Sequence, residues 1–198
     1  MKVTIPYTPR KQQAFIHKEL DKHRFSVLCC HRRFGKTVML INHLIKCCMM
    51  NKNHQPRFAY IAPTYSQAKK IAWDYLKFYT KGLPNTKYNE TELRCDFFNG
   101  SRITLLSSEN PDSIRGIYLD GVVCDEASQI SRELIDEVIR PAIADRKGWM
   151  SLCSTPKGMN NIFYDMYLKA QQEKDWFLYK AKASETNLVD KEELDAAF

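Results

Sequence analysis

The stretch FSVLCCHRRFGKTVMLINHLIKCCMM occupies residues 25–50 and joins three kinds of segment. Residues 25–30 form a short apolar run that is typical of a buried strand, and a helix is predicted from about Lys36. Between them lies the polar loop 31–35, which ends in a glycine. A strand, such a loop and a helix beginning with Lys-Thr predict a phosphate-binding loop, because the backbone N–H groups at a helix N-terminus favour anions.

Lys36 and Thr37 would carry the chemistry of this loop. In a P-loop the lysine reaches the β- and γ-phosphates, and the threonine hydroxyl ligates Mg²⁺. The full spacing of glycine, four residues and Gly-Lys-Thr is not met, because Cys30 occupies the first glycine position. Gly-Lys-Thr alone is also compatible with an ordinary basic turn, but its position between a strand and a helix favours an ATP site.

A second apolar run, GVVCDE at 121–126, ends in two consecutive carboxylates. The carboxyl ends of parallel strands share one edge of a sheet, where ligands bind. Nucleotide hydrolysis needs a carboxylate near Mg²⁺ and a group that orients the attacking water. We therefore predict that Asp125 holds the Mg²⁺ and that Glu126 is the general base, rather than two solvated acids at a strand end.

Ser154-Thr155-Pro156 follows the apolar run WMSLCS at 149–154. By itself this is a routine turn at the end of a strand. Beside the other two motifs, its hydroxyls would sense the γ-phosphate and transmit its loss.

The rest of the chain alternates predicted strands with predicted helices, which indicates one α/β domain with a mainly parallel sheet covered on both faces. We expect a β-hairpin around Asn99-Gly100, because this pair favours a type I′ turn. Residues 82–92 are predicted to be a polar loop. The helices, the remaining strands and the truncated C-terminal helix are expected at 10–22, from 36, from Thr64 or Ser66 to 80, 131–146 and 160–173, at 57–63 and 176–182, and at 187–198.

Charge and cysteine content narrow the class of protein. The net charge of +7 and pI of about 9.0 favour a polyanionic partner, although a generally basic surface is the alternative. The seven cysteines contain no C-x-x-C pair, which fits free thiols in a reducing compartment. No apolar stretch approaches the roughly 20 residues that a membrane span needs, so a cytoplasmic protein is expected.

These motifs, in this order, resemble the ATPase domain of the large terminase of tailed bacteriophages, the motor that packages viral DNA. The likeness covers nearly the whole chain, including YIAPTYSQAKKIAWDYL at 60–76 and NGSRITLLSSENPDSIRG at 99–116. HRRFGKT is similar to a deviant phosphate-binding loop of that family, which often lacks the first glycine. The resemblance implies a P-loop NTPase fold of the ASCE type for residues 1–198, with a small lid-like portion at about 159–198.

The resemblance also implies roles for individual residues. YTPRKQQ at 7–13 is similar to the adenine-binding segment, which would place Gln13 or Gln12, with Tyr7, near the base. SLCSTPKG at 151–158 resembles the coupling motif and implicates Ser154, Thr155 and Pro156. Arg115 matches an arginine finger that completes a neighbouring subunit's site, with a loop-ordering salt bridge as the alternative. The remaining loop residues of the predicted ATP-binding segment are Arg32, as a phosphate contact or a loop charge, Arg33, without an individual role, Phe34 and Gly35.

Large terminases continue into a nuclease domain with clustered metal-binding carboxylates, and this sequence stops before one. Its last acidic residues are expected to be a solvated helix face, not a metal site, so no nuclease activity is expected. They are Asp190, Glu192, Glu193 and Asp195.

The resemblance implies ATP hydrolysis that drives double-stranded DNA into a procapsid in the cytoplasm of an infected bacterium. The expected cofactors are ATP and Mg²⁺. The expected partners are DNA, the portal, the small terminase subunit and further copies of the chain in a pentameric ring, with no membrane. The alternatives are a helicase-like motor and a non-catalytic DNA-binding or assembly module. Lys69, Lys70, Arg102 and Lys157 are equally compatible with DNA contacts and with a solvated face.

Overall fold

One eight-stranded sheet organises the protein in the computed structural model, which describes residues 4–186 and Leu188. The strands are β1 (Phe25–Cys30), β2 (Arg57–Ala62), β3 (Lys87–Asn89), β4 (Arg94–Asp96), β5 (Arg102–Ser107), β6 (Gly121–Asp125), β7 (Trp149–Ser154) and β8 (Trp176–Ala181). Their order in the sheet is β3-β4-β5-β2-β6-β7-β1-β8. The pairs from β5 to β8 are parallel, and β3, β4 and β5 pair in antiparallel fashion.

Helices cover both faces of the parallel part, as the alternating pattern predicts. They are α1 (Lys11–Leu20), α2 (Lys36–Met50), α3 (residues 65–80), α4 (residues 132–144), α5 (Ile162–Gln172) and α6 (Ala183–Thr186). Apolar residues of α1, α2 and α3 pack on one face of the sheet. Those of α4 and α5 pack on the other face. The α/β prediction is therefore confirmed, and both faces of β1 and β6 are buried.

Two helices contain a π-helical segment that the sequence pattern does not reveal. In α3 it spans Ala68–Trp73, and in α4 it spans Leu134–Ile139. Thr64 is the N-cap of α3, since its side chain accepts a hydrogen bond from the N–H of Gln67 at 3.2 Å. Of the two residues predicted for this role, Thr64 is thus the correct one, because its extended backbone places the hydroxyl over the free N–H groups.

The β4–β5 hairpin is present, but its predicted type I′ turn is wrong. Gly100 has a positive φ of +80°, whereas Asn99 is not among the described non-glycine residues with positive φ. The N–H of Gly100 donates to Phe97 O, and the N–H of Phe97 donates to Ser101 O, both at 3.0 Å. This is a three-residue loop with its glycine in the left-handed region. The Asn99 side chain decides the outcome, because it bonds Cys48 O at 2.8 Å and the Ser101 hydroxyl at 2.6 Å.

The predicted polar loop 82–92 also contains β3, whose residues alternate without an apolar run. Its Tyr88 hydroxyl lies 2.9 Å from the Thr80 hydroxyl, so packing against α3 holds this short edge strand. All seven cysteines are free, and six of them are buried, as the sequence predicts.

Residues 162–181 supply α5 and β8 to the central sheet, and the lid-like role of 159–198 stays a prediction. The helix predicted at 187–198, with its four acidic residues, lies outside the described residues apart from Leu188. Among the described helices, none has both the length and the apolar character that a membrane crossing requires.

Candidate nucleotide-binding site

The loop 31–35 runs from the end of β1 to the start of α2, as predicted. Gly35 is the N-cap of α2 with φ of 81°, and Arg33 also has a positive φ, of 65°. Cys30, at the position of the first glycine, is still part of β1, pairs with Ala181 and is fully buried. A side chain is accommodated there because the chain is extended, so the missing glycine does not prevent the loop from forming.

Two side chains of the N-terminal segment hold this loop. The guanidinium of Arg10 donates to Phe34 O, and the amide of Gln13 donates to the same oxygen at 3.2 Å and to Gly35 O at 3.5 Å. Gln13 is only 4% exposed, and its own oxygen accepts the N–H of Arg10 at 3.1 Å. The Gln13 amide is thus bonded to the backbone of the phosphate-binding loop, next to which a nucleotide would lie.

Tyr7 lies away from the loop. Its hydroxyl is 3.0 Å from Nε2 of His17, and its ring contacts Tyr79 edge-on at 6.0 Å. Burial raises the pKa of Tyr7 to about 12. Tyr7 borders a separate hollow of about 300 Å³ that also includes Asn42. In the described part of the chain, neither Tyr7 nor Gln12 lines the cleft at the phosphate-binding loop, and their predicted contact with adenine is untested.

Asp125 is the last residue of β6 and is 5% exposed. Its Oδ2 accepts hydrogen bonds from the Thr37 hydroxyl at 2.9 Å and from the Tyr60 hydroxyl at 2.5 Å. Its Oδ1 accepts the N–H of Glu126 at 2.9 Å. The carboxylate and the Thr37 hydroxyl, predicted as the two metal ligands, are therefore direct neighbours.

Glu126 follows in a left-handed conformation with φ of 49°, which turns the chain away from the strand. Its carboxylate faces Lys36, whose Nζ lies 3.7 Å from Oε1. Lys36 is 8% exposed, and its Nζ also lies 3.5 Å from His31 O. A nearly buried ammonium at the start of α2 thus has the Glu126 carboxylate as its counter-charge.

The end of β7 meets Glu126 from the other side. Ser154 Oγ and Thr155 Oγ1 lie 3.5 Å and 3.4 Å from Oε2 of Glu126. Ser154 also donates to the Ser128 hydroxyl at 2.8 Å. The residues predicted to sense the γ-phosphate therefore touch the predicted general base directly.

A cleft of about 580 Å³ opens at the carboxyl edge of the sheet between these motifs. Arg32 lies in its wall, and Arg33 borders an adjoining hollow of about 230 Å³ together with Gly35 and Lys36. The wall consists of Arg32, Thr37, Tyr60, Ala62, Pro63, Gln67, Ile71, Asp125, Glu126, Gln129, Thr155, Pro156 and Lys157. No sequence motif indicated Tyr60, Gln67 or Gln129, because only strand order and the course of α3 bring them to this edge.

Arg115 lies outside this cleft. It forms ion pairs with Asp112 at 2.7 Å, Glu133 at 3.4 Å and Glu137 at 3.8 Å, and its side chain is 45% exposed. The structure therefore does not bring Arg115 to the site of its own chain, and its role in a neighbouring chain stays a prediction.

The basic residues considered as DNA contacts do not form one patch. Lys157 belongs to the wall of the cleft, and Arg102 pairs with Asp96 at 2.5 Å. Lys69 and Lys70 are exposed on α3.

The arrangement fits a magnesium nucleotide. A hydroxyl and a carboxylate 2.9 Å apart are the oxygen donors that Mg²⁺ prefers, and an ammonium and a helix N-terminus beside them favour phosphate. The strand order places β7 between β1 and β6, which carry the two motifs. This is the fold of a P-loop NTPase of the ASCE type.

Comparison with known proteins narrows the class to one family. The family model described as "Terminase large subunit, T4likevirus-type, N-terminal" matches residues 31–196, and the chain belongs to that family. The large terminase subunit of Thermus phage G20c is 29% identical over 181 residues, which cover 82% of this chain and 36% of that protein. The corresponding protein of Escherichia phage T5 is 29% identical over 167 residues, 81% of this chain and 37% of that one. The chain therefore spans little more than a third of these relatives.

Solved structures agree with the fold. The large terminase ATPase domain of Thermus phage P74-26 aligns with a TM-score of 0.73 at 25% identity, over 89% of this chain and 82% of that one. The large terminase of another thermophilic bacteriophage aligns with a TM-score of 0.79 at 17% identity, over 96% of this chain and 50% of that one. This second protein has also been solved with ADP and with ATP-γ-S.

Proposed function

We propose that this chain is the ATP-hydrolysing part of a viral DNA-packaging motor. The observation that carries the proposal is the convergence of Lys36, Thr37, Asp125 and Glu126 on one cleft, from the loop after β1 and the end of β6. Membership of the terminase family supports it, as do the ADP and ATP-γ-S complexes of the thermophilic phage terminase that shares this fold.

Each of these residues has a defined task in hydrolysis. Lys36 would exchange Glu126 for the β- and γ-phosphate oxygens, and this exchange would free the Glu126 carboxylate to take a proton from the attacking water. Thr37 and Asp125 would hold Mg²⁺, which supplies charge neutralisation for the phosphates. Arg32, in the cleft wall, would add a further positive charge.

Ser154 and Thr155 would couple hydrolysis to movement. Both hydroxyls lie within 3.5 Å of the Glu126 carboxylate, so a change at the γ-phosphate position would alter their hydrogen bonds. Ser154 would transmit that change to Ser128 and the turn before α4. The translocated substrate would be double-stranded DNA, and the partners would be a portal, the small terminase subunit and a ring of further copies.

Steady-state ATP turnover tests the assignment. Lys36→Ala and Glu126→Gln should each lower turnover by about 10²-fold or more, because a phosphate-binding charge or a general base is removed. Matched controls are Lys46→Ala, which removes a lysine of α2 that pairs with Asp21, and Glu92→Gln, which changes an exposed carboxylate that pairs with Arg94.

Both control variants should retain turnover close to that of the wild type. Undiminished turnover in Lys36→Ala or Glu126→Gln would refute the site assignment. Binding of MgATP by the wild-type chain without turnover would instead support a non-catalytic module.

A further inference from the structure

The Asp125 carboxylate receives three hydrogen bonds, and one of them comes from a residue with no role in the motifs described above. Thr37 and Glu126 belong to those motifs. The third donor is Tyr60, whose hydroxyl lies 2.5 Å from Oδ2, the same oxygen that accepts the Thr37 hydroxyl. Tyr60 thus acts on the oxygen that lies beside Thr37, where the metal would be held.

Sheet register explains how Tyr60 reaches this position. In the parallel pair of β2 and β6, Tyr60 is the partner of Val123, two residues before Asp125. Side chains alternate along a strand, so Tyr60, Val123 and Asp125 lie on the same face of the sheet. The Tyr60 ring is 3% exposed and belongs to the core under α2 and α3, while the residue also borders the cleft. Its hydroxyl is therefore presented from a rigid strand.

The protonation state of Tyr60 suits a permanent donor. Burial and the neighbouring charge of Asp125 raise the pKa of Tyr60 well above its usual value. The hydroxyl therefore keeps its proton over the whole pH range in which an ATPase works. A nearly buried carboxylate needs such donors, because an ionised group without hydrogen bonds is costly to bury.

We propose that Tyr60 is a positioning residue for the metal site, which keeps Asp125 ionised and aimed at the Thr37 hydroxyl. The proposal rests on the proposed nucleotide-binding function. Tyr60 itself would touch neither nucleotide nor metal and would act through Asp125. Removing a group that orients a metal ligand typically weakens metal binding by about 10- to 100-fold.

The test is Tyr60→Phe, which removes one oxygen and keeps the ring in the core. ADP binding and thermal unfolding are measured in EDTA and over a Mg²⁺ titration, and Mn²⁺ binding to the ADP complex is followed by electron paramagnetic resonance. The half-saturating metal concentration should rise about tenfold. Affinity for ADP in EDTA should stay within about twofold of the wild type, because the phosphate-binding loop is unchanged. Tyr88→Phe is the matched control, since it removes a hydroxyl that contacts Thr80 at 2.9 Å and is absent from the cleft wall.

Two results would overturn the role of Tyr60. One is an unchanged half-saturating metal concentration in Tyr60→Phe, and the other is an equal loss of ADP affinity with and without metal, which would indicate general damage to the loop. A wild-type chain without any metal-dependent change would overturn the metal site and the Tyr60 role together. The readout needs binding only, so a wild type that binds MgADP and lacks ATP turnover would count against the proposed ATPase and leave Tyr60 to be judged on the titration.

Discussion

Gly35 and Cys30 occupy the two positions at which a P-loop usually has glycine, and their environments differ. Gly35 has φ of +81°, and a Cβ atom there would lie 2.5 Å from Nη2 of Arg10 and 3.0 Å from Nε2 of Gln13. Cys30 is an extended strand residue. The conformational demand of the loop therefore falls on Gly35, and the two side chains that hold the loop also fill the space beside it.

Gly35→Ala should therefore destabilise the protein and weaken nucleotide binding. The left-handed conformation costs an L-residue about 1–2 kcal/mol, which corresponds to a fall in Tm of several degrees for a chain of this size. Thermal unfolding and ADP affinity are the measurements. Gly82→Ala is the control, because a Cβ atom there would meet nothing within 4 Å. Equal behaviour of the two variants would show that Gly35 carries no special constraint.

At the level of elements, a histidine pair joins α1 to α2. His17 Nδ1 lies 3.1 Å from His43 Nδ1, and the two rings stack at 5.3 Å between centroids. His43 also packs edge-on against Trp149 at the start of β7. Lys46 and Asp21 are the charged groups nearest the pair, and the Tyr7 hydroxyl contacts His17. Two neutral imidazoles can share one hydrogen bond here, whereas two charged ones would repel each other.

This link should make stability depend on pH. Burial, with the positive charge of Lys46 nearby, lowers the pKa of His17 from 6.5 to about 4, and burial beside His17 lowers that of His43 to about 3. Between pH 6.5 and these values the unfolded chain binds more protons than the folded one, so stability decreases as pH falls. The expected loss is a few kcal/mol by about pH 4, measured by urea unfolding between about pH 7 and 4.

Replacing one member of the pair should flatten that dependence. His17→Gln is expected to reduce the change in unfolding free energy between about pH 7 and 4. The exposed His54 serves as the control, because His54→Gln should leave the slope as it is in the wild type. A slope that is insensitive to His17→Gln would show that other groups, such as the carboxylates, cause the acid lability.

At the scale of the whole molecule, Arg115 and the cleft lie apart in one chain. Arg115 is held by Asp112 of its own loop and by Glu133 and Glu137 of α4. These contacts would account for Arg115 as a loop-ordering residue, yet they also hold its partly exposed guanidinium at the surface. A neighbouring chain would have to bring its cleft to that surface for Arg115 to act on a nucleotide.

If Arg115 completes a neighbouring site, turnover per chain should rise with protein concentration or on a portal ring. Arg115→Ala should then remove that rise, since an arginine of this kind is worth about 10³–10⁵ in rate. Arg132→Ala is the matched control, because Arg132 is also exposed and paired, with Asp136 at 3.7 Å. A turnover that is independent of concentration and unaffected by Arg115→Ala would leave only the loop-ordering role.

Local sequence was sufficient for the phosphate-binding loop, the strand that ends in Asp125, and the alternation of strands and helices. Hydrophobic period, turn residues and helix starts are properties of neighbours along the chain, so they can be read without a structure. The same reasoning failed at the Asn99-Gly100 turn, where the Asn99 side chain bonds Cys48 and Ser101 instead of adopting the type I′ geometry. It also missed β3, which is held by contacts with α3.

The sequence by itself determined the class of fold and the four residues at the centre of the site, Lys36, Thr37, Asp125 and Glu126. Only the tertiary structure decided that Tyr60 bonds Asp125, that Gln13 holds the phosphate-binding loop and that Arg115 faces away from its own cleft. The physical reason is that the motif residues are tied to the ends of their own strands and helices. The other three depend on the order and register of strands and on packing between segments far apart in the chain, which no local pattern contains.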